Sequence, residues 1–178
     1  MALVIETTLS AEQTARNLSR WNEIIADKEL AELSHKIETD RHGHILMTPP
    51  PAPRHSKKQG RIISQLEKHL PDGVILPECA ISTADGVKAA DVAWLSPERG
   101  DEAESDTPLT KAPEICVEVL SPGNTVSAIA EKRALYFGAG AKEVWICKVN
   151  GKLEFYCRHS PDISGASLLC PDFPHQIK

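Results

Sequence analysis

The sequence contains no apolar run close to the roughly 20 residues that a membrane-spanning helix needs, which excludes such a span. It has no Cys-X-X-Cys pair. The five cysteines, at positions 79, 116, 147, 157 and 170, are too scattered for a zinc site or a dense disulfide framework. Cys116 and Cys147 sit inside apolar runs, where a thiol packs as a small hydrophobe. The seven histidines form no His-Glu-X-X-His pattern, so zinc-peptidase chemistry is not expected. A nucleophile elbow, a phosphate-binding loop and a Cys/His signature are also absent, which leaves a small-molecule hydrolase without a motif. Basic charge is not in excess. A net charge of −5 argues against wholesale coating of nucleic acid, although a local basic patch can still bind it.

What is present reads as an ordinary soluble globular chain, with 41% hydrophobic and 25% charged residues among 178. That length suits one domain over 1–178, with an N-terminal helical segment over 1–35 and a core over about 36–160. The opening MALVIETTLSAEQ has a short apolar stretch and no basic region before it, so a cytoplasmic location is expected rather than secretion. Much of the acid lies in 98–106, which reads as a solvated loop.

Ser10 with Gln13 resembles a capping box, and Leu18, Trp21 and Ile25 follow at helical spacing, predicting a helix over 11–27 and a short second one through Leu33. Lys36 to Glu38 and His44 to Met47, around Gly43, suggest a hairpin. The prolines between Thr48 and Pro53 force an extended connection. Ile62, Ile63, Leu66 and Leu70 mark a helix over 55–70. Strands are predicted over 74–77, 88–95 and 114–120, then a helix over 126–137. Two more strands, over 143–149 and 152–156, meet at Asn150-Gly151, a pair that favours a type I′ turn. The order implies an α/β or α+β layer protein with one mixed central sheet and β-hairpins.

Two residues break the apolar logic of their strands. Asp91 opens the run after Lys88-Ala-Ala, and Glu118 lies between Val117 and Val119. A carboxylate on the solvent face of a strand is the plain alternative for either one. If both are buried on neighbouring strands, they repel by roughly 4 kcal/mol at about 4 Å and an effective dielectric of about 20. A divalent cation reverses that sign. Oxygen ligands of this kind suit Mg²⁺ or Mn²⁺, and a metal so held serves phosphodiester cleavage. Downstream of the proline segment, Arg54, His55, Lys57, Lys58 and Arg61 form the best local basic patch, suited to DNA phosphates or else to a charged helix face.

Asp91-Val-Ala-Trp, Pro113-Glu-Ile-Cys-Val-Glu118-Val-Leu-Ser-Pro and Lys132-Arg-Ala-Leu-Tyr136, with Trp145 beyond, resemble the Uma2 family of restriction-type endonucleases. The upstream Glu38, Gly43, proline-rich and His55 pattern is similar to that family's as well, so the likeness covers roughly Ile37 to Lys152. The resemblance implies a restriction-endonuclease-like fold of the PD-(D/E)xK type and metal-dependent phosphodiesterase activity. It makes Asp91 and Glu118 the metal-binding and catalytic carboxylates. Glu38 becomes an additional acidic residue, and Lys132 the lysine of the following helix. Ala90 replaces the proline before the aspartate, Leu120 stands where the Glu-X-Lys triplet has lysine, and Ala128 replaces a common aspartate. Lys132 would therefore have to serve for the missing lysine, orienting water or stabilising developing charge. As an exposed helix lysine it would do neither. Tyr136 and Trp145 are expected in the core or at a dimer contact.

The leading expectation is a Mg²⁺- or Mn²⁺-dependent DNA endonuclease, a homodimer with no organic cofactor and no membrane partner. The alternative is a catalytically degenerate module that binds DNA or a protein partner without cutting, favoured by Leu120 and Ala128.

Overall fold

The computed structural model describes residues 8–104, 107–160 and 162–178. The segment 1–7, on which the reading of the N-terminus partly rests, lies outside the described residues, as do 105 and 106 of the acidic stretch.

Among the described residues, eight strands and five α-helices follow one another as α1 (Ala11–Ala26), α2 (Lys28–Ala31), β1 (Lys36–Thr39), β2 (Ile45–Thr48), α3 (Pro53–His69), β3 (Val74–Thr83), β4 (Gly86–Leu95), α4 (Pro97–Gly100), β5 (Ile115–Val119), α5 (Val126–Gly138), β6 (Glu143–Cys147), β7 (Leu153–Cys157) and β8 (Ile163–Ser164). Strands β3 to β8 form one six-stranded sheet in chain order, while β1 and β2 pair as a separate hairpin. All neighbours in the large sheet are antiparallel except β5 and β6, which run parallel. A parallel pair cannot be joined by a tight turn, and α5 makes the crossover. The protein is thus a mixed α+β structure, with a mixed sheet flanked by helices.

Strand β5 is buried along its whole length and feeds two cores. Ile115, Val117 and Val119 pack with Ile62 and Leu66 beneath α3, whereas Cys116 packs with Tyr136 and Ala139 beneath α5. Alternation along a strand sends successive side chains to opposite faces, which accounts for the division. The α3 core also takes in Phe173 and Ile177, beyond the expected 36–160 span.

Several local expectations change. Helix α1 buries Asn17 and Ile24 rather than Ile25, because Asn17 donates to Ser82 Oγ and to the Thr83 carbonyl, both at 2.9 Å. Those two buried hydrogen bonds set the roll of the helix. Ser10 caps Gln13 N at 3.1 Å, but the Gln13 amide turns to Asn17 and Arg41, so the capping box is half made. Strand β3 runs on through Pro77 to Thr83. The stretch read as a solvated loop holds α4 and a 3-10 turn over Asp101–Glu104. The β6–β7 connection is not type I′, which needs positive φ at both central residues. Only Gly151 is left-handed there, with φ 85, and its N–H closes on the Lys148 carbonyl at 2.8 Å. This is a three-residue loop ending in a left-handed glycine.

Side chains of the β1–β2 hairpin fasten it to the large sheet. Thr39 Oγ accepts from Val87 N at 2.9 Å, and Glu38 Oε1 accepts from Ala89 N at 2.8 Å. Gly86, at φ 84, allows the approach, since a Cβ there would stand 2.4 Å from the Thr39 carbonyl. Strand β1 is thereby held across β4 and carries Lys36 and Glu38 to the large sheet.

Candidate active site

Strands β4 and β5 pair only at Val92↔Val117, Ala93↔Cys116 and Trp94↔Ile115. The next residues along are Asp91 and Glu118, and there the strands part. Val119 N–H donates to Asp91 Oδ2 at 2.7 Å, so the aspartate side chain caps the end of the ladder. Both carboxylates are buried, at 4% and 5% exposure, on inner strands of the sheet.

Each is met by a lysine. Lys132 of α5 places its ammonium 3.1 Å from Glu118 Oε2 and 2.8 Å from Glu38 Oε1. Lys36 of β1 lies 2.7 Å from Asp91 Oδ1 and 3.2 Å from Glu78 Oε2. Tyr136 Oη donates to Glu118 Oε1 at 2.7 Å, and His55 Nε2 lies 3.3 Å from Asp91 Oδ2. Gln59, one turn after His55, donates to Glu78 Oε1 at 2.9 Å and to the Asp91 carbonyl at 2.6 Å. All of these side chains except the fully buried Tyr136 line a cleft of about 1080 Å³ between the hairpin, α3, α5 and the sheet.

The charges divide the two carboxylates. Burial pushes Glu118 above the usual range for glutamate, against the pull of Lys132. Burial acts on Asp91 in the same direction but is outweighed by the His55 hydrogen bond and the Lys36 charge, which hold it well below the usual range. Both lysines are raised: burial lowers them, yet the carboxylates around each more than compensate. Glu38 is lowered, as Lys132 overcomes its burial. The His55 imidazole is raised by its bond to Asp91.

Asp91, Glu118, Lys132 and Glu38 therefore share one site, and Lys132 does not project into bulk solvent. The basic cluster comes apart. His55 is 7% exposed and turned to Asp91, so it is no surface contact. Lys58 donates to the Val149 carbonyl in the β6–β7 turn. Arg54, Lys57 and Arg61 do not line the cleft; Arg54 and Arg61 are exposed and Lys57 is exposed beside them. Tyr136 and Trp145 are fully buried. Lys36, Gln59 and Glu78 were missed from sequence. Lys36 shares a strand face with Glu38 by period two, and Gln59 a helix face with His55 at i, i+4, so two of the three carried a readable signal.

Among the described residues no three His, Cys, Asp or Glu side chains are grouped as a metal site. The donor chemistry nonetheless fits a hard divalent ion: two buried carboxylates on adjoining strands, in a cleft wide enough for the waters such an ion retains. His55 Nδ1 is a buried side-chain nitrogen in the cleft wall without a hydrogen-bond partner.

This mixed sheet flanked by helices, with central strands that part over acidic residues and a lysine beside them, matches a nuclease-like fold. A family model, Uma2, described as "Putative restriction endonuclease", matches residues 26–169, and the chain belongs to that family. Four chains of solved structures match. One is the crystal structure of a putative nuclease belonging to DUF820 from Anabaena variabilis ATCC 29413, with a TM-score of 0.61 and 17% identity over 72% of this chain and 74% of that one. At that identity the likeness establishes the fold. Comparison with curated proteins gave no match. No helix among the described residues is long and apolar enough to cross a membrane.

Proposed function

We propose that this chain is a metal-dependent endonuclease that hydrolyses DNA phosphodiester bonds in the cleft at Asp91 and Glu118. One observation carries the reading: two buried carboxylates stand at the point where β4 and β5 part, with a lysine ammonium 3.1 Å from the glutamate. Family membership supports nuclease chemistry, and restriction-endonuclease-like families generally use divalent metals. Asp91 and Glu118 would hold Mg²⁺ or Mn²⁺, which when bound supplies an activated water and neutralises the leaving oxygen.

The remaining roles belong to the chain. Tyr136 fixes one oxygen of Glu118 and leaves the other toward Lys132. Lys132, held between Glu38 and Glu118, presents a point charge in the cleft wall, where charge develops on the phosphate. His55 and the Val119 N–H hold Asp91 in one orientation and keep it ionised. Exposed Arg54, Lys57 and Arg61 offer backbone contacts outside the cleft.

Plasmid DNA should be nicked or cut with Mg²⁺ or Mn²⁺ and left intact with EDTA. Glu118→Gln should abolish cutting while the protein stays folded. The second reading, a module that binds DNA without cutting, draws on the lysines already paired with both carboxylates. Salt-dependent DNA binding with no cleavage under any divalent metal would decide for it.

A further inference from the structure

We propose that Glu78 completes, with Asp91, the seat of the divalent ion, and that the Lys36 ammonium is the cation filling that seat when no metal is bound. The inference rests on the metal-dependent reading of the cleft, and it adds a ligand and a competitor that the family motifs do not contain.

Glu78 is the first support. Among the described residues it is the one non-glycine residue with positive φ, at 49. Backbone held in that region is strained for a residue with a Cβ and persists only where the surroundings enforce it. The surroundings do so here. The β3–β4 ladder pairs Pro77 with Val92 and Cys79 with Ala90 and passes over Glu78 and Asp91. Gln59 then ties Glu78 Oε1 to the Asp91 carbonyl through one amide. The second oxygen, Oε2, is left to the cation that also touches Asp91 Oδ1. Glu78 remains half-exposed at the cleft, so it is a strand residue turned out of the sheet and not a buried polar accident.

Lys36 is the second. Its ammonium bridges Asp91 and Glu78 and also lies in the field of Glu118. Three carboxylates brought toward one cation would repel one another without it, and the more so at a buried site of low effective dielectric. One positive charge relieves this, and a divalent ion relieves it further. Both cannot use the same oxygens, because ion and ammonium repel in turn. Lys36 can yield: it opens β1 of the separate hairpin, and its charge rides on a flexible four-carbon stem beside the open cleft. Lys132 differs, since it is also held by Glu38 and the Ala89 carbonyl.

The test is calorimetric titration of the full chain with MnCl₂ at fixed ionic strength. Lys36→Met should bind Mn²⁺ about tenfold more tightly than wild type, a coupling of ordinary size between two competing cations. Adding Glu78→Gln to Lys36→Met should remove most of that gain. A Lys36→Met variant that binds no more tightly than wild type overturns the proposal, as does a double variant that keeps the full gain. A second measurement needs only the wild-type fold: ¹⁵N-lysine spectra, with Lys36 assigned by its absence in Lys36→Arg. The Lys36 ammonium signal should be protected from exchange without metal and lose that protection at saturating Mg²⁺; protection that persists overturns the proposal. Plasmid cleavage by wild type without the affinity gain in Lys36→Met sinks this inference and leaves the nuclease reading intact. Tighter Mn²⁺ binding by Lys36→Met with no cleavage by wild type does the reverse.

Discussion

Glu118 and Glu143 stand on neighbouring strands β5 and β6, both buried, and they are held in opposite ways. Glu143 accepts from Trp145 Nε1, Ser167 Oγ and Leu168 N, each at 2.7 Å, and from Leu169 N at 2.9 Å. All four donors are neutral, and three of them tie the chain after β8 to the sheet. Glu118 has one neutral donor, Tyr136, and otherwise a lysine ammonium at the wall of a cleft. A carboxylate saturated by fixed donors is a pin. One that meets a lysine at a cleft wall still faces that cleft, where a ligand can reach it. The difference lies in the partners and not in burial, since the two are nearly equally buried.

The largest effect should come from breaking the pin. Glu143→Ala orphans an indole N–H, a hydroxyl and two backbone N–H groups, at a cost of about 3 kcal/mol or more. Urea denaturation measures it, and Mn²⁺ binding should be unchanged in the folded fraction. Glu118→Gln should cost less than about 1 kcal/mol by the same assay, because Lys132 keeps Glu38 and the amide oxygen can still accept from Tyr136. Equal losses in the two variants would erase the distinction.

Tyr136→Phe sharpens it. This hydroxyl is the feature Glu118 shares with Glu143, and its loss should cost about 2 kcal/mol, the scale of a hydrogen bond to a charged group. It should also raise the already elevated Glu118 carboxyl further, readable by carboxyl ¹³C titration. A carboxyl that titrates unchanged would mean that burial and Lys132 alone set Glu118.

The smallest effect concerns His55. Its pKa is raised by the hydrogen bond to Asp91, so its contribution to stability is complete below about 6.5, the ordinary value, and is lost as pH rises through the folded value. The thermal midpoint of wild type should therefore fall relative to His55→Asn between pH 6 and pH 8. Parallel curves would show that His55 binds its proton equally in the folded and unfolded chain, leaving Lys36 alone to balance Asp91.

The residues alone announced most of the elements. Apolar strand-like runs found β4 and β5, helical spacing found α3, and the Ser121-Pro-Gly-Asn124 breaker marked the turn into α5. Asp91 and Glu118 stood out because a carboxylate inside an apolar run is costly unless something compensates for it. Glu143, beginning an equally apolar strand, looked like a strand boundary, since its donors lie more than twenty residues downstream at 167–169. His55 looked like part of a basic surface because neighbours in sequence suggest a shared face. On a helix, though, residues 54, 57 and 61 lie away from the stripe formed by His55, Gln59, Ile62 and Leu66. Local patterns can say which residues are out of place in water or in a core. They cannot say which cation or donor meets them, because Lys36 reaches Asp91 across 55 positions, and only the docking of the β1–β2 hairpin on β4 closes that distance.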